Sequence, residues 1–145
     1  MNKKIIGVVA CSAVVASMAI GASASDDLIK VGYAQVGHES DWRTANTQNY
    51  QDVFSEANGY ELSFVDCDND NAAQIEAVRN FINQELDYIV IAPIQSAGWD
   101  TVLQEAQDAG IPVIIADREI EASDDLYDAW VGTNTTNEGI TAGNW

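Results

Sequence analysis

The sequence predicts an α/β fold, an open parallel sheet with helices on both faces. Three observations carry this. From Leu28 onward, short apolar runs alternate with longer amphipathic stretches. Two of the runs, Tyr88-Ile-Val-Ile-Ala92 and Val113-Ile-Ile-Ala116, are apolar throughout rather than alternating, as strands covered on both faces are. The amphipathic stretches end at helix stop signals, Gly59 for one and Gly110 followed by Pro112 for another. Strand and helix in alternation then give βαβ units with right-handed crossovers.

Taken in order, Leu28-Ile-Lys-Val-Gly-Tyr-Ala34 reads as the first strand. A helix is expected over 40–58, with Trp42, Ala45, Tyr50, Val53, Phe54 and Ala57 near one face. Residues 61–66 form the second strand. Residues 71–85 give the clearest helix, which places Ile75, Val78, Phe81 and Ile82 on one stripe. The third strand is 88–92. The helix over 98–109 turns Trp99, Val102, Leu103 and Ala106 inward. Residues 113–116 and 129–131 supply the fourth and fifth strands. Residues 137–145 open a further helix, and a chain that ends there is expected to be a piece of a longer one.

The 145 residues suit one domain, and 47% hydrophobic content against 20% charged argues for a folded core. Acidic residues outnumber basic ones by 23 to 6, a net charge of −17. So acidic a surface repels phosphate backbones and anionic headgroups, which makes nucleic acid and membrane surfaces poor candidate partners. Residues 1–24 read as a secretory signal peptide, with Lys3 and Lys4, an apolar run, and Ala22-Ser23-Ala24 before the cut. Removing it leaves four basic residues against the same 23 acidic ones, a net charge of −19. Residues 25–145 then form the single domain of a periplasmic or extracellular protein. Lipidation at Cys11, after Val8-Val9-Ala10, is the alternative, but it would leave an apolar region shorter than the ~7–15 residues usual there. Once Cys11 is removed, Cys67 has no disulfide partner.

In such sheets ligands bind beyond the carboxyl ends of the strands, near the point where strand order reverses. Two segments there carry candidate binding residues. Glu39-Ser40-Asp41-Trp42-Arg43 brings two carboxylates, a hydroxyl, an indole and a guanidinium to a helix N-terminus, where Ser40 or Asp41 also serves as N-cap. Asp117-Arg118 follows a buried strand and offers an acceptor beside a rigid donor fork, which suits adjacent sugar hydroxyls. An enzymatic reading would pair Asp117 with Glu119, but residues two apart on an irregular segment need not converge. No catalytic residue, metal site or cofactor is expected. Residues 66–71 fail the EF-hand pattern, with Asn71 and Ala77 where Gly and Glu are required, so Asp70 or Asn71 is assigned to capping the next helix. His38 has no nucleophile or metal-ligand partner and is taken as a loop residue facing solvent. No glycine-rich phosphate loop is present.

These residues resemble the type I periplasmic binding proteins, the sugar-binding receptors of ATP-driven (ABC) uptake systems, in the branch that binds galactofuranose and ribose. Lys30-Val-Gly-Tyr-Ala-Gln-Val-Gly37, Ile91-Ala-Pro93, Gly98-Trp99, Ile111-Pro-Val-Ile-Ile-Ala-Asp-Arg118 and Glu138-Gly139 carry the likeness. The resemblance implies the first of two α/β lobes, strand order 2-1-3-4-5, and a monosaccharide ligand, a galactofuranose-like hexose. It also implies delivery to an ABC transporter permease by a monomer that does no chemistry. Carried over by position, the sugar contacts are Glu39, Ser40, Asp41, Trp42, Arg43, Asp117 and Arg118. Asp41 stands where the galactofuranose-binding branch has glycine. Ala92 stands where ribose-binding members have asparagine, which points away from ribose. Related readings are a sugar receptor for a chemotaxis or signalling sensor, and a LacI-type effector-binding core. The latter needs a basic helix-turn-helix where this chain has an export signal.

Overall fold

The computed structural model describes residues 28–145, so the expected signal peptide and Cys11 lie outside the described residues. Five strands, β1 (Ile29–Gln35), β2 (Tyr60–Asp66), β3 (Tyr88–Ile91), β4 (Val113–Asp117) and β5 (Ala129–Gly132), alternate with four helices, α1 (Asp41–Val53), α2 (Asn71–Asn83), α3 (Asp100–Asp108) and α4 (Thr135–Gly143). All neighbouring strands are parallel, in the order β2-β1-β3-β4-β5. The predicted architecture and strand order are both present.

Alternate strand residues feed two cores. Ile89, Ile91, Val113 and Ile115 meet Val78 and Phe81 of α2 and Leu103 and Ala106 of α3 on one face. Val31, Tyr33, Val90 and Ala116 point to the other face, where Tyr50 and Phe54 pack. Strands that feed both cores cannot alternate polar and apolar residues, which is why β3 and β4 read as continuous apolar runs. The α2 layer lies so close to β1 that a Cβ on Gly32 would stand 2.6 Å from the Phe81 ring.

Helix α1 differs from expectation in length and in orientation. It ends at Val53, because the Asn58 side chain donates to the carbonyls of Asp52 and Val53 and Ser55 Oγ donates to Asp52, supplying partners to carbonyls at the helix end. Phe54 leaves the helix to meet Tyr60 edge to face at 5.1 Å. Trp42 and Val53, expected inward, are 57% and 47% exposed. The inward line is instead Arg43, Asn46, Thr47, Tyr50 and Phe54, mostly polar. Asn46 accepts from the Tyr33 hydroxyl and from the buried Gln35 amide, which also donates to Thr47. A search for apolar periodicity cannot see such a face. Elsewhere the expected inward residues hold: Trp99, Val102, Leu103 and Ala106 are all buried. Helix α4 begins at Thr135, two residues earlier than expected, because Asn134 caps it by accepting from the Asn137 amide.

Strand order reverses between β1 and β3, and their carboxyl ends must separate there. Gln74 of α2, fully buried, fills the split: its amide nitrogen donates to the Ala34 and Ala92 carbonyls at 3.2 and 2.7 Å, and its oxygen accepts from the Ile94 amide at 2.9 Å. Replacing Gln74 with Leu leaves the Ala92 carbonyl and the Ile94 amide without this partner, while the Ala34 carbonyl keeps the Ala92 amide. We expect a loss of about 3 kcal/mol in urea unfolding with an unchanged denaturant slope, given the cost of buried unsatisfied groups. A loss under about 0.5 kcal/mol, the size of an ordinary surface substitution, would show that the strand ends need no such clamp.

Candidate ligand-binding site

The loops after β1 and β4 converge at the carboxyl edge of the sheet, and Arg43 joins them. Its side chain is only 3% exposed; Nε donates to Glu39 Oε1 at 3.0 Å and Nη2 to Asp117 Oδ2 at 2.7 Å. Nη1 is buried and has no protein partner. Arg118 is 48% exposed and approaches Glu39 Oε1 at 3.7 Å, so one carboxylate lies between two guanidinium groups. The exposed Trp42 ring lies 4.9 Å from Arg43 Cζ, a cation–π contact. A cavity of about 290 Å³ opens beside Asp117 and Arg118 and reaches Thr133, Thr135 and Glu138.

Local structure explains how these groups are aimed. Ser40 is the α1 N-cap: its Oγ accepts from the Arg43 amide at 3.1 Å, while its carbonyl takes the Thr44 amide. The amides of Asp41 and Trp42 therefore have no acceptor within the helix. Beyond β1, the Asn69 amide donates to the Val36 carbonyl, and His38 Nε2 lies 2.6 Å from Asp66 Oδ2, so the first loop is tied to the end of β2. His38 is exposed as expected, though paired. Asp70 caps α2, accepting from the Ala72 and Ala73 amides.

At the end of β4, Asp117 has φ of 70°, and the Arg118 amide donates across it to the Ala116 carbonyl at 3.0 Å. This is a γ-turn with a positive central φ, a rare and strained form. It turns the Asp117 carboxylate to Arg43 and sends Arg118 along the rim.

Of the seven residues expected from sequence, the structure brings together Glu39, Trp42, Arg43, Asp117 and Arg118. Ser40 is engaged as a cap. Asp41, exposed in the first turn, makes no ion pair or hydrogen bond with the others among the described residues. Sequence reasoning missed the groups behind the site. Gln35 and Gln74 are fully buried, yet both continue visible patterns: Gln35 follows Val31 and Tyr33 at strand spacing, and Gln74 precedes Val78 and Phe81 at helix spacing.

Charge keeps Glu39 and Arg43 ionised. Burial raises the Glu39 carboxyl, but a hydrogen bond from its own backbone and the neighbouring Arg43 and Arg118 outweigh this and hold it below the usual carboxylate range. Burial lowers the Arg43 guanidinium, and the bonds to Asp117 and Glu39 more than reverse this. The result is a rim of carboxylate acceptors and guanidinium donors, with the Arg43 Nη1 unpartnered, flanked by an aromatic face. Such a set suits a neutral polyhydroxylated molecule.

Fold and strand order together are those of an open α/β lobe. The chain belongs to the periplasmic binding protein family: residues 31–145 match the periplasmic binding protein domain. It is 41% identical, over all of its own length and 44% of the relative's, to the galactofuranose-binding protein YtfQ of Escherichia coli strain K12. A Mycobacterium smegmatis protein crystallised in complex with β-D-fucofuranose is 44% identical with a TM-score of 0.76, over 81% of this chain and 38% of that one. The binding component of the arabinose ABC transporter from Shewanella sp. ANA-3, bound to α- and β-L-arabinofuranose, is 41% identical with a TM-score of 0.75, over 80% and 38%. The chain thus spans less than half the length of these relatives.

Because the Glu39 pKa lies below that of the unfolded chain, its ion pairs stabilise the fold fully above the unfolded value, and the contribution fades as pH falls through the native one. Carboxyl-detected NMR should show Glu39 titrating below the ordinary glutamate range, and Arg43→Met should return it upward. An ordinary Glu39 titration in the wild-type chain would contradict the ion-pair geometry.

Proposed function

We propose that this chain is the ligand-capturing lobe of an extracytoplasmic receptor that takes up a monosaccharide without altering it and delivers it to an ABC transporter permease. The observation that carries this is Arg43: a buried guanidinium whose Nη1 has no protein partner, beside Asp117 and at the edge of an exposed indole. The half-exposed Arg118 guanidinium and the Arg43 Nη1 group can donate to sugar hydroxyls while the free Asp117 oxygen accepts from a neighbouring one, and Trp42 can cover C–H groups. Glu39, Ser40, Asp41, Trp42, Arg43, Asp117 and Arg118 are the proposed contacts, with Ser40 acting through its hydroxyl proton because its oxygen already caps α1.

A five-membered ring form of a hexose, galactofuranose or a close analogue, is the favoured ligand. Three relatives between 41% and 44% identical are named for, or crystallised with, furanoses. Residues 1–24 would direct export, leaving residues 25–145 as a periplasmic or extracellular lobe, monomeric and without affinity for nucleic acid at its charge of −19.

Isothermal titration calorimetry of the full chain should register heat with methyl β-D-galactofuranoside or L-arabinose and little with D-ribose. Arg118→Ala should weaken the best ligand about tenfold or more, the usual effect of removing a charged hydrogen bond. Silence across neutral furanoses and pyranoses alike would overturn the reading.

A further inference from the structure

We propose that Gly132 of β5 is a positioning residue for ligand binding: by carrying no side chain, it leaves room for the γ-turn that aims Asp117 and Arg118. The inference rests on the ligand-binding reading of those two residues and adds one that touches no ligand.

Gly132 lies opposite Asp117 in the parallel register of β4 and β5. Its own backbone does not demand glycine. The described glycines with positive φ are Gly37, Gly59, Gly98 and Gly110, and Gly132 is not among them. Space demands it instead. A Cβ at Gly132 would fall on the Asp117 carbonyl oxygen, far inside contact distance, and 2.7 Å from Cε2 and Cζ2 of the Trp130 ring. A flexible side chain could swing clear, but a backbone carbonyl cannot move alone.

The Asp117 carbonyl and the Arg118 N–H belong to one planar peptide unit. Pushing the oxygen away from β5 rotates that unit and draws the N–H off the Ala116 carbonyl, which opens the γ-turn. Asp117 Oδ2 then leaves Arg43, and Arg118 loses its direction toward Glu39. The core is touched only through the half-buried Trp130, whose ring packs against it, since β5 carries no fully buried residue and its Val131 is 65% exposed. At Gly32 the atoms an added Cβ would meet are all apolar side-chain atoms, of Phe81 and Leu86, whereas at Gly132 the nearest is a backbone oxygen.

Gly132→Ala tests this, with Gly139→Ala as control, since a Cβ at Gly139 meets nothing within 4 Å. In the ligand-free full chain, Gly132→Ala should shift the Arg118 amide and Arg43 Nε–H resonances in ¹H–¹⁵N spectra while the amides of α2 and α3 stay in place. Affinity for methyl β-D-galactofuranoside should fall about tenfold or more, the range expected of overpacking against backbone. Gly139→Ala should change neither. Unmoved Arg43 and Arg118 signals in folded Gly132→Ala protein would overturn the proposal, since β5 would then have yielded instead of the turn. If Gly132→Ala does not fold, the pair Trp130→Leu with Gly132→Ala removes the ring contact, keeps the carbonyl contact and is read in the same way. Failure of both to fold would also overturn it, because Gly132 would then serve the packing of β5 itself. A wild-type chain that binds no sugar would sink the sugar reading, while the ligand-free spectra would still decide the role of Gly132.

Discussion

The burial of the Arg43 guanidinium is the constraint around which the carboxyl edge of the sheet is organised. Taking that charge out of water costs several kcal/mol unless opposite charges accompany it. The two carboxylates that do so come from different parts of the chain, Glu39 one helical turn earlier and Asp117 at the end of β4. The first fixes the entry into α1. The second requires β4 to end in a left-handed turn that an ordinary strand exit would not supply. Behind them, Tyr33 and Gln35 hold Asn46 and Thr47, so the rotation of α1 that buries Arg43 is set by β1.

The layered architecture was legible because burial on both sheet faces writes itself into sequence. The uninterrupted β3 and β4, and the Val78, Phe81, Leu103 and Ala106 positions of the helices beneath, could be placed from pattern alone. Helix α1 could not, for the same physical reason in reverse. Its inward side is stabilised by hydrogen bonds and ion pairs, so Arg43, Asn46 and Thr47 look like solvent-facing residues, while Trp42 and Val53 look like core. The charged candidates were legible as residue types at strand ends. Their mutual geometry was not, because the γ-turn at Asp117 arises from pairing between segments 74 residues apart.

Charge distribution also acquires a structural meaning. A chain carrying 23 acidic residues places two of its few arginines within reach of the same Glu39 oxygen. Elsewhere the field disfavours anions. At this rim Arg43 and Arg118 are balanced by Glu39 and Asp117, so the rim presents directional hydrogen-bonding groups rather than a strong net charge.

The Gln74 clamp bears on depth. In an open α/β sheet the gap at the strand reversal is the natural place for a ligand to sink between strands. Here that gap is filled by an amide whose hydrogen bonds go to Ala34, Ala92 and Ile94. The space between the carboxyl ends of β1 and β3 is therefore closed to a ligand. In the proposed reading this surface meets one face of a ligand, and the free energy of covering the other face is not supplied by these residues.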